Sequence, residues 1–170
     1  MRRCREYRLF TLEDPERVRG YGHSAGRALA APLGVRETRD DSAPELEGIS
    51  SRVDCVVALA AQTDITMPDT AAQYPDVFGG TPEEMPEVYR DASAVAFVDE
   101  VSVPFLLVHG VEDLDVPFAH SRELAAALEE AGVQVELVEL PDAYHDATND
   151  WAVVGRNVLP FLERQLKPGR

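Results

Sequence analysis

Two short apolar runs constrain this chain more than anything else in it: VDCVVALA over residues 53–60 and VPFLLVHG over residues 103–110. Both are rich in β-branched side chains and almost free of polar ones, the pattern of strands that a parallel sheet buries on both faces. A third run, VQVELVEL over 133–140, reads as another strand. Parallel strands need crossover connections, usually helical, and the intervening sequence supplies them. FAHSRELAAALEEAG begins just after Pro117, sets Leu124, Leu128 and Ala131 on one face and stops at Gly132, a residue suited to the left-handed cap of a helix. The closing stretch WAVVGRNVLPFLERQL places Trp151, Val154, Val158, Phe161 or Leu162, and Leu166 at helical spacing, with Pro160 expected to kink the helix or restart it. Strands alternating with helices of these lengths predict an α/β fold, a three-layer αβα arrangement around a parallel sheet. With 170 residues, 45% of them apolar, the chain has material for one hydrophobic core and is read as a single domain over 1–170.

Two regions break the rhythm. Residues 36–52 are polar and turn-rich and read as a surface connection. Residues 62–100 are too long for a simple loop, and a short helix is expected to start at Thr81 through a capping box with Glu84. A long connection on an α/β sheet commonly borders the active site, so 62–100 is expected to be a cap-like or site-bordering insertion.

Charge narrows the partners. A net charge of −15, from 31 acidic against 16 basic residues, opposes binding to nucleic acid or to an anionic membrane, since either needs a concentrated basic surface. Cys4 and Cys55 are too few for a disulfide framework and are read as reduced. No apolar run approaches the roughly 18 residues a membrane span requires, and the start MRRCREYRLF lacks the apolar stretch of a signal peptide, so a cytoplasmic location is expected.

The candidate chemistry begins at GYGHSAGRALA, residues 20–30, where Gly22, Ser24 and Gly26 form G-x-S-x-G. The physics of that pattern is a sharp strand-to-helix turn: glycines relieve crowding, the serine hydroxyl projects above the sheet, and the amino end of the helix faces the reacting carbonyl. The helix is expected to end near Leu33 with Gly34 as its stop. The strand leading into the turn is weak, because only Val18 and Tyr21 are apolar where a longer run is wanted. A serine of this kind needs a base and an acid, which such folds supply in the order Ser, Asp or Glu, His, from the carboxyl ends of later strands. FLLVHG runs into VEDLDVP and VELVEL runs into PDAYHDA, giving Asp113 and His145 in that order, with Asp115 a nearby competitor.

These motifs, GHSAG, P-F-L-L-V-H-G-x-x-D-x-x-V-P and the Tyr-His pair after the last strand, resemble the C-terminal half of α/β hydrolases of the esterase/lipase and prolyl-oligopeptidase-like group, from about Asp14 to Leu166. The resemblance implies a partial α/β-hydrolase fold lacking the N-terminal strands, and it implies that the acid is Asp113, three residues after His-Gly. It also implies a serine hydrolase of carboxylic esters that needs no cofactor, with Ser24, Asp113 and His145 as catalytic residues and the N–H of Ala25 as an oxyanion donor. The expected substrate is a small-molecule ester or a short peptide; the alternatives are a prolyl-oligopeptidase-like peptidase and a non-catalytic remnant. The segment before Ser24 holds no glycine-rich HGGG-type oxyanion run, and an open sheet edge is expected to invite self-association. The competing roles are a helix-capping serine at 24, a turn acid at 113 and a surface-loop histidine at 145. No metal is expected: His145, Asp146 and Asp150, with His109 nearby, have no spacing that fixes a coordination geometry.

Overall fold

Four parallel strands in the order β1-β2-β3-β4 form the sheet in the computed structural model, which describes residues 18–23, 25–37 and 50–166. They are β1 (Arg19–His23), β2 (Cys55–Leu59), β3 (Phe105–Gly110) and β4 (Val135–Leu140). β2 and β3 are buried at every residue, as their unbroken apolar character requires.

Side-chain alternation along these strands builds two cores. Val56, Ala58, Phe105 and Leu107 point to one face and pack with Ala31 and Val35 of α1 (Ala25–Val35). The same cluster takes Leu124, Ala125 and Leu128 from α5 (Ala119–Glu130). Cys55, Val57, Leu59, Leu106 and Val108 point to the other face and pack on Val154, Val158 and Phe161 of α6 (Trp151–Leu166). This is the expected three-layer αβα arrangement. Gly132 has φ +76°, the left-handed cap expected after α5.

Four expectations are corrected. β1 forms although its sequence looked weak, because its inward positions are Gly20 and Gly22, while Tyr21 is exposed. A Cβ on Gly20 would stand 3.3 Å from the Ala30 carbonyl and from Val56, so α1 lies too close to this strand for an apolar side chain. Gly34 is inside α1 rather than beyond it. Its role is close approach: a Cβ there would fall 2.7 Å from both Phe105 and Val56. α6 runs through Pro160 without a restart; the proline lies on the exposed side with Arg156, so water can satisfy the carbonyl that the missing N–H abandons. At the start of α6, Trp151 is 51% exposed and covers Gly155 instead of joining the buried face.

Residues 62–100 fold into α2 (Pro68–Ala71), α3 (Pro75–Phe78), α4 (Pro86–Asp91) and a 3₁₀ turn at Ala94–Phe97. The Glu84 carboxylate does accept the Thr81 N–H at 2.9 Å, but α4 starts only at Pro86, so this contact closes a turn and caps no helix. Ile65, Ala71 and Tyr89, with Tyr74, Phe78 and Met85, make a third small core inside this segment. Of the polar connection at 36–52, residues 38–49 lie outside the described residues. Among the described residues no helix is long and apolar enough to cross a membrane.

Candidate active site

The carboxyl ends of the strands all face one edge of the sheet, and the candidate residues gather there. β1 ends at His23 and α1 begins at Ala25, so strand passes to helix across a single position. That position is Ser24, which lies outside the described residues. Ala25 opens the helix, so its N–H has no intrahelical acceptor. A Cβ built on Gly26 meets nothing within 4 Å among the described residues.

The loops after β3 and β4 are locked together. Val111 N–H donates to the Leu140 carbonyl at 3.0 Å and Glu112 N–H to the Ala143 carbonyl at 3.1 Å. A Cβ on Gly110 would lie 2.3 Å from that Ala143 oxygen, so only glycine lets the loops approach this closely. The result is that His145, at the start of a 3₁₀ turn (His145–Asn149), meets Asp113 with Nδ1 and Oδ2 2.7 Å apart. Both residues are buried.

The carboxylate is held from two directions. Oδ1 accepts the N–H groups of Asp115 at 2.9 Å and Val116 at 2.8 Å. Oδ2 faces His145 and lies 3.3 Å from His109 Nε2. Burial alone would raise the Asp113 pKa; the Val116 N–H, the His145 hydrogen bond and charge, and the Asp115 N–H outweigh it and hold the carboxyl below its ordinary value. Asp115 is exposed and spends its backbone, not its side chain, on this turn. The sequence reading named Asp113 with Asp115 as competitor, and the geometry pairs Asp113 with the histidine.

His109 is fully buried, with Nε2 2.9 Å from the Val116 carbonyl and Nδ1 2.7 Å from Ser121 Oγ. A carbonyl only accepts, so Nε2 carries the proton and Nδ1 accepts from the serine hydroxyl. The residue therefore hydrogen-bonds at the strand end. Of His145, Asp146, Asp150 and His109, no metal-ligating group assembles among the described residues. The three donors that do approach within 4.8 Å of one another belong to Asp113, Asp115 and His145, and both Asp113 oxygens are already engaged.

Sequence reasoning missed two features at this edge. His120 is fully buried, with Nε2 2.8 Å from Thr70 Oγ1, while its Nδ1 accepts the Asp64 N–H at 3.3 Å. Burial, reinforced by His109 and partly opposed by Asp64, pushes its pKa down to about 4. Ala60, just past β2, has φ +48°, an uncommon conformation for a residue with a Cβ. Neither has a local signature in sequence, because both arise from contacts between segments far apart in the chain.

Comparison with known proteins adds three findings. The Prolyl oligopeptidase family matches residues 49–169. Esterase LipC of Mycobacterium tuberculosis (strain ATCC 25618 / H37Rv) is 34% identical over 133 residues, covering 73% of this chain and 33% of the relative. Esterase LipQ of the same strain is 29% identical over 139 residues, covering 78% of this chain and 33% of the relative. The chain thus spans about a third of the length of the curated relatives it matches. Among solved structures, a truncated form of a carbohydrate esterase from gut microbiota superposes with TM-score 0.74 at 24% identity, covering 91% of this chain and 61% of that one. That likeness establishes the α/β-hydrolase fold for the region shared.

Proposed function

The chain belongs to the prolyl oligopeptidase family of α/β hydrolases, and from that premise we propose a serine hydrolase of carboxylic esters that works through an acyl-enzyme. The observation that carries the reading is the buried 2.7 Å contact between His145 Nδ1 and Asp113 Oδ2 at the same sheet edge as the β1–α1 junction. With Nδ1–H donated to the carboxylate, the lone pair of the imidazole sits on Nε2. In the proposed mechanism Ser24 Oγ attacks the ester carbonyl while His145 takes its proton. The tetrahedral intermediate collapses, the C–O bond to the alcohol breaks, and His145 protonates the departing alcohol. Water, activated by the same imidazole, then cleaves the acyl-Ser24 bond and regenerates the enzyme. Asp113 keeps the imidazole in the productive tautomer and stabilises its charged form, and the Ala25 N–H donates to the oxyanion.

An ester rather than a peptide is favoured by the two mycobacterial relatives, both esterases by name. Peptidase activity is the second reading, favoured by the family match. In either case the segment 62–100 leaves the carboxyl end of β2, beside His23 of β1 and Val108 of β3, and borders the space a small substrate would enter. The test is incubation of the full chain with a fluorophosphonate probe beside Ser24→Ala, followed by p-nitrophenyl acetate and a proline-containing peptide ester and amide. Labelling that the substitution abolishes, with turnover of the acetate, supports the reading. Folded protein that does not label refutes it.

A further inference from the structure

His145 reaches the site from the far side of the sheet. β1 and β4 are the outer strands of the four described, separated by three inter-strand spacings, about 14 Å. The segment after Leu140 must therefore carry the imidazole back across β3 and β2 toward the β1–α1 junction. Asp113 anchors one side of the ring. The backbone bonds between the β3 and β4 loops, among them Glu112 N–H to the Ala143 carbonyl, hold the segment that leads into the 3₁₀ turn.

The second anchor comes from β1. Thr148, fully buried, donates its hydroxyl proton to the carbonyl of His145 at 2.9 Å. A hydroxyl has a single proton to give, so in its 3.1 Å contact with His23 Nε2 Thr148 Oγ1 is the acceptor and His23 the donor. The chain of bonds runs His23 Nε2–H to Thr148 Oγ1, and Thr148 Oγ1–H to the His145 carbonyl. The two imidazoles lie alongside, with centroids 5.4 Å apart and planes tilted by 53°. His23 immediately precedes Ser24, so any movement of the strand end is transmitted through this tether to the turn that bears His145.

We infer that His23 and Thr148 are positioning residues that set the separation between the nucleophile position and the base, acting through the backbone of His145 rather than on the substrate. The inference rests on the reading of Ser24 as nucleophile and His145 as base. A positional role differs from a packing role in what it moves. Loss of the tether lowers kcat, because a displacement on the scale of 1 Å costs up to about a hundredfold, and leaves KM nearly alone, because neither residue binds substrate.

The experiment uses the full chain with Thr148→Val, which is close to isosteric but cannot accept or donate, and Thr148→Ser, which restores the hydroxyl. The expected result is a fall of roughly tenfold or more in kcat and in the fluorophosphonate labelling rate for Thr148→Val, with KM within about twofold. Thr148→Ser is expected to recover most of the loss. Independently of activity, ¹⁵N ring shifts of the wild-type protein are expected to show His23 protonated at Nε2, with that signature lost in Thr148→Val. Wild-type kcat in a folded Thr148→Val protein, or a His23 ring protonated at Nδ1 alone, overturns the inference. If the wild type neither labels nor turns over substrate, the hydrolase reading fails by itself, and the ring shifts alone decide the tether. If Thr148→Val does not fold, His23→Phe, which keeps a flat ring but has no N–H to donate, is expected to lower the labelling rate at least tenfold, and wild-type labelling by a folded His23→Phe protein overturns the inference.

Discussion

Replacing Asp113 with asparagine changes one atom and, by the geometry around that atom, reverses the chemistry of the neighbouring imidazole. Oδ1 accepts two backbone N–H groups, from Asp115 and Val116. An asparagine satisfies both only by placing its carbonyl oxygen there, since the reverse orientation would set an NH₂ against two donors. The NH₂ is then forced to the Oδ2 position, 2.7 Å from His145 Nδ1 and 3.3 Å from His109 Nε2. Facing a donor, His145 Nδ1 must accept, so its proton moves to Nε2, the nitrogen that receives the serine proton in the proposed mechanism. The same exchange in the Ser-His-Asp template lowers kcat about 10⁴-fold through this tautomer effect, or about 5 kcal/mol of barrier. A second cost arises because the new NH₂ has a second hydrogen, while His109 Nε2, 3.3 Å away, already carries a proton given to the Val116 carbonyl and cannot accept it; a buried donor left unsatisfied costs about 1–3 kcal/mol of stability. Steady-state hydrolysis of p-nitrophenyl acetate reads the first effect, and urea unfolding reads the second. Asp115→Asn, at an exposed side chain, serves as the control and is expected to stay within about threefold of wild type. Activity within tenfold for Asp113→Asn, or a large loss confined to Asp115→Asn, would refute both the orientation of the amide and the assignment of the acid.

Three further outcomes follow from the contacts described. Gly110→Ala drives a Cβ to 2.3 Å from the Ala143 carbonyl, so the β4 loop must retreat and take His145 with it. Activity is expected to fall at least tenfold, and stability by about 2–3 kcal/mol in chemical denaturation. Gly34→Ala adds a methyl group 2.7 Å from Phe105 and Val56, and thermal melts should register a loss of about 1–3 kcal/mol despite the better helix propensity of alanine. For His120 the folded pKa, about 4, lies below the ordinary histidine value of 6.5, so the unfolded chain takes up its proton first as pH falls. The neutral form then contributes stability that is complete above pH 6.5 and is lost progressively toward pH 4, on the order of 3 kcal/mol in all. Comparing unfolding free energies of wild type and His120→Gln across that interval should show a shallower slope for the variant; parallel curves would remove His120 as the source.

The strands β2, β3 and β4 and the helix α5 could be read from sequence because each has its own periodic signal, continuous for a strand buried on both faces and three-to-four for a helix on one. That Asp113 and His145 lie at the carboxyl ends of successive strands was legible through order and spacing, and the structure brings the two side chains together. The choice of Asp113 over Asp115 came from the resemblance and not from the local residues, because it depends on how a four-residue turn directs its amides. β1 was obscured for a related reason. Its inward positions are glycines, chosen by the proximity of α1, and a glycine carries no hydrophobic signal. Gly34 misled in the opposite sense, since a helix-stopping residue and a residue permitting close contact are the same letter. Pro160 is tolerated because of the side of α6 on which it falls, a matter of tertiary placement. The His23–Thr148 contact joins residues 125 positions apart, and no local pattern announces it.

The small core formed by Ile65, Ala71 and Tyr89 shares no residue with the two clusters that sandwich the sheet. Its segment is closed on itself by Ile65 N–H to Ser93 Oγ, and it meets α5 through a few bonds, among them Thr63 Oγ1 to the His120 carbonyl and the Thr70 hydroxyl against His120 Nε2. Mutational drift between those fastenings is therefore insulated from the scaffold beneath. A lineage can remodel this segment while the foundation that pairs Asp113 with His145 goes unaltered.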